Sequence, residues 1–183
     1  GPILRDVSRA FYLTLRVVPT SVRSQIALAY LLARISDTIA DTQLVPTEKR
    51  IQKLQQLRAR IRDEGAPPVD FTHLAREQGN EAERVLLQHS SEAIALLDKI
   101  EGADRGQIQL VLETITRGQE LDLVRFSDGK ELKALKTADD LDDYTYRVAG
   151  CVGEFWTHLT RAHCFANAEI DEQSFVQNSI RFG

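Results

Sequence analysis

The chain has 183 residues and a net charge of −4, from 23 Lys and Arg against 27 Asp and Glu. This acidic balance argues against a nucleic-acid partner, because nucleic-acid-binding proteins normally carry a basic surplus. No apolar run approaches the roughly 18 residues that a membrane span needs. The two cysteines are too few for a disulfide framework, so we expect a cytoplasmic protein. The length suits a single domain, residues 1–183.

The positions of proline and glycine favour helices. All five prolines lie at or before Pro68, and no glycine occurs between Gly1 and Gly65. Long stretches without either residue favour helix, and no clean alternation of polar and apolar residues indicates a strand. We therefore predict an all-α fold. In chain order, helices are predicted over about 8–18, 20–42, 46–61, 80–100, 104–126, 138–163 and 171–183, with loops at 65–70 and near Asp128-Gly129.

Local features refine these predicted helices. Thr20 or Ser21 is the expected N-cap of the second helix, because a hydroxyl can accept a hydrogen bond from a free backbone N–H. Gly102 is expected to end the helix over 80–100. Arg58 and Arg60 lie off the apolar face of the third helix, so we expect both in solvent.

The strongest chemical signal lies in the second helix. Tyr30, Arg34, Asp37 and Asp41 follow the spacing i, i+4, i+7, i+11 and share one helix face. Two aspartates one turn apart repel each other, fit a helix poorly, and lie near its C-terminus, where the macrodipole disfavours negative charge. A bound cation would offset these three costs. Paired carboxylates suit Mg²⁺, and Arg34 on the same face could hold a phosphate.

The alternative for this pair is a solvated acidic face, which is common for charged residues. However, this helix is apolar on most of its circumference, which indicates burial. Charged groups on a buried helix must be paired or ligated. That argument favours a functional site at Asp37 and Asp41.

A second signal is the segment YTYRVAGCVG, residues 144–153. Gly150 and Gly153 each cost about 1 kcal/mol in a helix relative to alanine. They create a thin helix face that either admits a bulky ligand or permits close packing of another helix. Tyr144 and Val148 share a face, and Cys151 is expected to be a small core residue.

Two further segments are weaker signals. Ser8-Arg9-Ala10-Phe11 places an arginine beside aromatic residues near the N-terminus, which alone indicates a surface arginine next to the core. Arg117-Gly-Gln-Glu-Leu-Asp122 is by itself best explained as a solvated helix face.

Taken together, three of these segments resemble the squalene/phytoene synthase family, in the family's order. Residues 8–11 resemble its N-terminal substrate motif, residues 30–41 its first aspartate-rich motif, and residues 144–153 its central Tyr…VAGxVG signature. The resemblance implies an isoprenoid-synthase-type helical bundle around a central cavity.

The resemblance also implies roles at the polar end of that cavity. Asp37 and Asp41 would bind Mg²⁺ and, through it, the diphosphate of the substrate. Arg9 and Arg34 would contact diphosphate oxygens, and Ser8 belongs to the same substrate motif. Metal and arginine together would stabilise the charge of the departing pyrophosphate.

At the apolar end, the resemblance implies contacts with the prenyl chain. Tyr30 and Tyr144 would line the cavity near the carbocation, where aromatic faces stabilise positive charge. With Arg34, they are the expected catalytic residues. Phe11, Val148 and Gly150 would shape the apolar tunnel. Peripheral contact with a membrane is a further expectation, because substrate and product are greasy.

The implied reaction joins two farnesyl diphosphates head to head, giving presqualene diphosphate and then squalene with hydride from NADPH. A phytoene or dehydrosqualene synthase, which needs no NADPH, is the alternative within the family. A non-catalytic helical scaffold is the alternative outside it. A terpene cyclase would share the metal chemistry, but it would not explain residues 144–153.

One departure from the family pattern concerns the end of the chain. The family carries a second aspartate-rich motif on a later helix, and this sequence has none. Residues 177–183 resemble the beginning of that helix. We therefore expect the chain to be an N-terminal portion of a longer synthase domain, inactive when it ends at Gly183.

Overall fold

The structure, a computed structural model, describes residues 2–100, 102–126 and 134–183. Within these ranges the chain forms helices joined by short irregular segments and no strand, which confirms the predicted all-α class. In chain order the helices are α1 Pro2–Val7, α2 Arg9–Val17, α3 Thr20–Asp41, α4 Thr47–Arg62, α5 Thr72–Glu77, α6 Glu81–Gln88, α7 Ser90–Leu97, α8 Gly102–Arg125, α9 Ala138–Thr145, α10 Cys151–His163 and α11 Glu172–Phe182. A π-helical segment, Tyr146–Gly150, joins α9 to α10.

The centre of the fold is the pair formed by α3 and α8. Helix α3 packs against α8, α4 and α7, and α8 also packs against α4 and α10. Leu32, Ile35 and Ile39 of α3 are completely buried, as is Ile108 of α8. Burying one such side chain stabilises the fold by about 1.5–3 kcal/mol relative to leaving it exposed. This packing fixes the orientation of α3, so that Arg34 faces α6 and Asp37 faces α8.

Several helix boundaries differ from those predicted. The N-cap of α3 is Pro19, without a side-chain capping bond, so the prediction of Thr20 or Ser21 was wrong. The helix predicted over 80–100 is divided at His89, where the Ser90 hydroxyl donates to the carbonyl of Leu87 at 2.7 Å. Such a bond competes with the backbone ladder. Helix α5 was not predicted.

The prediction that Gly102 ends the preceding helix was wrong, because α7 ends at Leu97 and Gly102 begins α8. The φ of Gly102 is +66°, a backbone conformation that glycine adopts more readily than other residues. The loop predicted near Asp128-Gly129 lies outside the described residues.

The prediction that Arg58 and Arg60 are solvated was wrong. Their side chains are only 16% and 15% exposed. Arg58 pairs with Glu120 of α8 at 2.7 Å, and Arg60 pairs with Asp98 at 2.5 Å. Periodicity showed that these arginines leave the apolar face, but it could not show that acidic side chains of other helices meet them there.

Candidate active site

The two aspartates of α3 lie at the edge of a cavity of about 620 Å³. Asp41 is the last residue of α3, and the last turn of that helix contains no basic residue. The free carbonyl groups at the end of α3 therefore add to the negative electrostatic potential of the two carboxylates. The side chains that line the cavity belong to Asp37, Ala40, Asp41, Gln43, Arg50, Gln119, Asp122, Leu123 and Phe126.

Both carboxylate oxygens of Asp37 accept hydrogen bonds from protein groups. Oδ2 accepts from Nη1 of Arg34 at 3.3 Å, and Oδ1 accepts from Nε2 of Gln119 at 2.5 Å. Burial raises the pKa of Asp37, the nearby Arg34 charge opposes that rise, and Asp41 adds to it. The side chain of Asp37 is 39% exposed, so its ionised carboxylate is a partly buried charge, and a cation would stabilise it.

Arg34 lies between two acids. Besides Asp37, it donates to Oε1 of Glu83 on α6 at 3.1 Å, and it is not among the residues that line the cavity. Direct contact between Arg34 and a diphosphate remains a prediction. It would require exchange of at least one of these two bonds.

Arg50 lines the cavity, and sequence reasoning missed it. Its Nη1 donates to the carbonyl of Ala40 at 2.5 Å and its Nη2 to the hydroxyl of Thr47 at 3.1 Å, while Nε is buried with no hydrogen-bond partner among the described residues. A basic residue in the first turn of a helix is unfavourable for the helix dipole. That local cost at the start of α4 was a readable signal.

Helix α8 contributes Gln119, Asp122 and Leu123 to the cavity. The prediction of a solvated face over residues 117–122 was wrong for Gln119 and Asp122, which line the cavity, and held for the exposed Arg117. Burial raises the pKa of Asp122, and the charge of Arg125 opposes that rise. Gly118, a glycine inside a helix, was the readable signal here, because a Cβ at this position would lie 3.0 Å from that of Arg147.

The N-terminal motif meets α3 through aromatic stacking. The rings of Phe11 and Tyr30 are nearly parallel, at 13°, with centroids 3.7 Å apart. Both line a second, apolar cavity of about 80 Å³ between α3, α8 and α10, together with Trp156. Sequence reasoning did not single out Trp156, because one aromatic residue in an apolar helix does not differ from an ordinary core residue.

The other residues of the N-terminal motif have different positions. The hydroxyl of Ser8 accepts a hydrogen bond from the backbone N–H of Phe11 at 3.4 Å, so Ser8 is the N-cap of α2. Arg9 is exposed at the first turn of α2. Neither residue lines the 620 Å³ cavity in the described part of the chain.

The central signature forms the π-helical segment and the start of α10. Single π-helical turns inside α-helices are frequent at functional sites. Tyr144 is half-buried at the end of α9, and Val148 is 52% exposed. Among the described residues, neither borders the 620 Å³ or the 80 Å³ cavity. Cys151 is buried, as predicted, and burial raises the pKa of its thiol to about 11.

The thin face at Gly150 and Gly153 accommodates α11. A Cβ on Gly150 would lie 3.1 Å from the carbonyl oxygen of Ile180, and one on Gly153 would overlap that of Ser179. Of the two explanations left open by the sequence, close helix packing is therefore the one that the described residues display.

Comparison with known proteins identifies the family. The model of the family described as squalene/phytoene synthase matches residues 4–183. The chain belongs to this family. Similar proteins include Squalene synthase 1 of Arabidopsis thaliana, 28% identical over 154 residues, and Squalene synthase of Solanum lycopersicum, 29% identical over 154 residues. Each of these matches covers 82% of the chain and 33% of the relative.

The fold is similar to that of a solved protein structure. The structure described as a complex of TcSQS with the ligand E5700 has a TM-score of 0.76 and 22% sequence identity, over 100% of the chain and 48% of that protein. This likeness confirms the predicted all-α fold. The chain thus spans about a third of the length of the two curated relatives and about half that of the solved structure.

In the described ranges, no three His, Cys, Asp or Glu side chains converge as a set that could hold a metal ion by themselves. Asp37, Asp41 and Asp122 all line the 620 Å³ cavity. Separately, none of the described helices combines the length and apolarity needed to cross a bilayer.

Proposed function

We propose that the protein joins two molecules of farnesyl diphosphate head to head, giving presqualene diphosphate and then squalene with hydride from NADPH. Membership of the squalene/phytoene synthase family supports head-to-head isoprenoid condensation. The observation that carries the proposal is the aspartate pair at the end of α3, which opens onto a polar cavity of about 620 Å³. A phosphate-bearing head group with its cations suits a cavity of this size and polarity.

Mg²⁺ is the proposed cation, and the residues present fit it. Asp37 and Asp41 offer hard oxygen ligands one helical turn apart, and the buried amide oxygen of Gln119 lacks a hydrogen-bond partner among the described residues. Mg²⁺ is usually held by one or two carboxylates and otherwise by water and phosphate oxygens, which matches the aspartate pair. When bound, the metal would stabilise the negative charge of the departing diphosphate.

Arg50 is the proposed partner of the diphosphate among the residues that line the cavity. Its guanidinium carries a fixed positive charge, and its buried Nε–H is free to donate to a phosphate oxygen. The family resemblance implies the same contact with the diphosphate for Arg9 and Arg34. Of these three arginines, only Arg50 borders the cavity in the described structure.

Phe11, Tyr30 and Trp156 are the proposed walls for the hydrocarbon near the reacting carbon. Aromatic faces stabilise a nearby cation, and an apolar lining excludes the water that would quench it. Phe11 forms one wall of the 80 Å³ cavity, so displacement of its ring would enlarge this space toward α2. From the family resemblance, Tyr144 is proposed as a catalytic residue and Val148 as a tunnel residue, whereas the tunnel role of Gly150 is not kept, because Ile180 of α11 packs against it.

The alternative within the family is a phytoene or dehydrosqualene synthase, for which no reductant is needed. The matching family model covers phytoene synthases as well as squalene synthases. Peripheral contact with a membrane remains a prediction in either case.

The test is a product analysis of the whole protein with farnesyl diphosphate and Mg²⁺, with and without NADPH. Squalene that forms only with NADPH is the expected result. Dehydrosqualene regardless of NADPH would select the alternative, and phytoene from geranylgeranyl diphosphate would do the same. No turnover of either substrate, in a protein whose melting curve shows that it is folded, would overturn the enzymatic proposal and favour a helical scaffold.

A further inference from the structure

Gln119 reaches Asp37 from a different helix. Its Nε2 donates to Oδ1 of Asp37 at 2.5 Å, although the two residues are 82 positions apart in sequence. Arg34 donates to the other oxygen, Oδ2, from the same helix as Asp37. Since these donors occupy different oxygens, together they restrict rotation of the carboxylate, which is otherwise broad about its last torsion.

The amide of Gln119 has one favourable orientation. With the amide reversed, its oxygen would face a carboxylate oxygen, and two acceptors would oppose each other. In the favourable orientation the amide oxygen, Oε1, is left buried and without a hydrogen-bond partner among the described residues. Gln119 lines the 620 Å³ cavity, so this unpartnered acceptor belongs to a side chain in the cavity wall.

The neutrality of the amide matters as much as its position. A lysine or arginine at this position would fix Asp37 but would also cancel its charge. Arg34, the charged donor, shares its guanidinium with Glu83, at 3.1 Å. A neutral donor fixes the carboxylate and leaves its negative charge available to a cation. Mg²⁺ requires near-ideal octahedral geometry, so a fixed carboxylate lowers the cost of binding it.

We propose that Gln119 is a positioning residue for the cation site. Its Nε2 holds the Asp37 carboxylate in the orientation that binds the divalent cation. The inference rests on the proposed function, because it assigns the cation to Asp37 and Asp41. Groups that orient metal ligands typically contribute 10–100-fold to metal affinity.

The experiment measures Mn²⁺ affinity, by the loss of the free-ion electron paramagnetic resonance signal, in the whole protein and four variants. Gln119→Met keeps the length of the side chain and removes the donor. Gln119→Asn keeps the amide but shortens it by one methylene. Gln109→Met is the matched control, because Gln109 also lies on α8 and donates to another helix, at the carbonyls of Ile61 (2.9 Å) and Arg62 (3.2 Å), away from the cavity. Asp37→Asn reports on the site itself.

We expect Gln119→Met and Gln119→Asn to weaken Mn²⁺ binding by about tenfold or more, with affinity unchanged in Gln109→Met. If Asp37→Asn weakens binding and both Gln119 variants bind as the wild type does, the positioning role is overturned while the proposed metal site stands. If Asp37→Asn leaves binding unchanged, the metal site of the proposed function fails as well. An equal loss in Gln109→Met would identify a general effect of destabilising α8 and would also overturn the inference.

Discussion

Gly153 of α10 lies directly against the backbone of Ser179 in α11, so closely that a Cβ on Gly153 would overlap the Ser179 carbonyl oxygen. The neighbouring atom belongs to the backbone of a helix and cannot move like the end of a flexible side chain. We therefore expect Gly153→Ala to lower the free energy of unfolding by about 1–3 kcal/mol, the usual range for overpacking. Urea unfolding followed by circular dichroism measures this change.

Gly106 is the matched control for this substitution. It lies inside α8, and a Cβ there would contact nothing within 4 Å. Gly106→Ala should raise the free energy of unfolding by about 0.5–1 kcal/mol, because alanine restricts the unfolded chain and favours helix. A Gly153→Ala protein as stable as Gly106→Ala would show that α11 does not pack on α10 in this way.

The phenol of Tyr146 donates to Oε2 of Glu154 at 2.7 Å. Burial and this bond raise the pKa of Tyr146 from 10.0 to about 12. Between these two values the unfolded phenol has lost its proton while the folded one retains it, so the free energy of unfolding should fall as the pH rises from 10 toward 12. Denaturant midpoints between pH 9 and 11 should show this fall in the wild type.

In Tyr146→Phe this part of the pH dependence should disappear. Glu154→Gln keeps an acceptor but removes the charge, so it should give an intermediate slope and a lower pKa for Tyr146 in an ultraviolet phenolate titration. Identical slopes in the wild type and Tyr146→Phe would exclude a bond between Tyr146 and Glu154.

The aspartate pair could be predicted from the sequence because its cost is local. Repulsion between Asp37 and Asp41, poor helix propensity and an unfavourable helix dipole are all properties of one helix. The helices themselves could be predicted because apolar spacing and the absence of proline are also local. The family motifs added roles for these residues, but not the contacts between helices.

What could not be predicted is which helices meet. Glu83 lies 49 residues from Arg34, and Gln119 lies 82 residues from Asp37. The periodicity of one helix defines its faces and not its neighbours, so a polar face that is buried by another helix resembles one in solvent. For this reason Gln119, Asp122, Arg58 and Arg60 were all predicted to be solvated.

Asp37 should be an acid that lowers the stability of the folded chain. Burial raises the pKa of Asp37 above its ordinary value of 3.8. At a pH just above 3.8, the folded state therefore still holds a proton on Asp37 that the unfolded state has lost. The free energy of unfolding therefore falls as the pH rises through this range, and it stays reduced at neutral pH. Without divalent cations, Asp37→Asn should unfold at a higher denaturant concentration than the wild type at pH 7, with the advantage lost below pH 3.8.

Added Mg²⁺ should reverse this order, because only the wild type gains stability by binding the cation. Asp41→Asn is the control. Since Asp41 is exposed, its substitution should change the metal-free midpoint far less while still weakening the response to Mg²⁺. A metal-free Asp37→Asn protein that is less stable than the wild type at pH 7 would contradict the cost assigned to this carboxylate.

Arg50 connects the end of the aspartate helix to the cavity, through its 2.5 Å bond to the carbonyl of Ala40. Loss of a charged hydrogen bond to a phosphate costs about 1.5–3 kcal/mol, or roughly 10–100-fold in affinity. Arg50→Met should therefore weaken the binding of inorganic pyrophosphate in the presence of Mg²⁺ by this factor, as measured by calorimetry. Arg62→Met, which removes an exposed arginine from the same helix, should bind as the wild type does.

Arg50→Lys separates the charge from the geometry. A lysine keeps the positive charge but cannot reproduce the planar guanidinium fork that spans Ala40 and Thr47 while leaving Nε free. We expect only partial recovery of pyrophosphate binding in this variant. Full recovery would mean that Arg50 acts as a point charge, and wild-type affinity in Arg50→Met would exclude Arg50 from the diphosphate site.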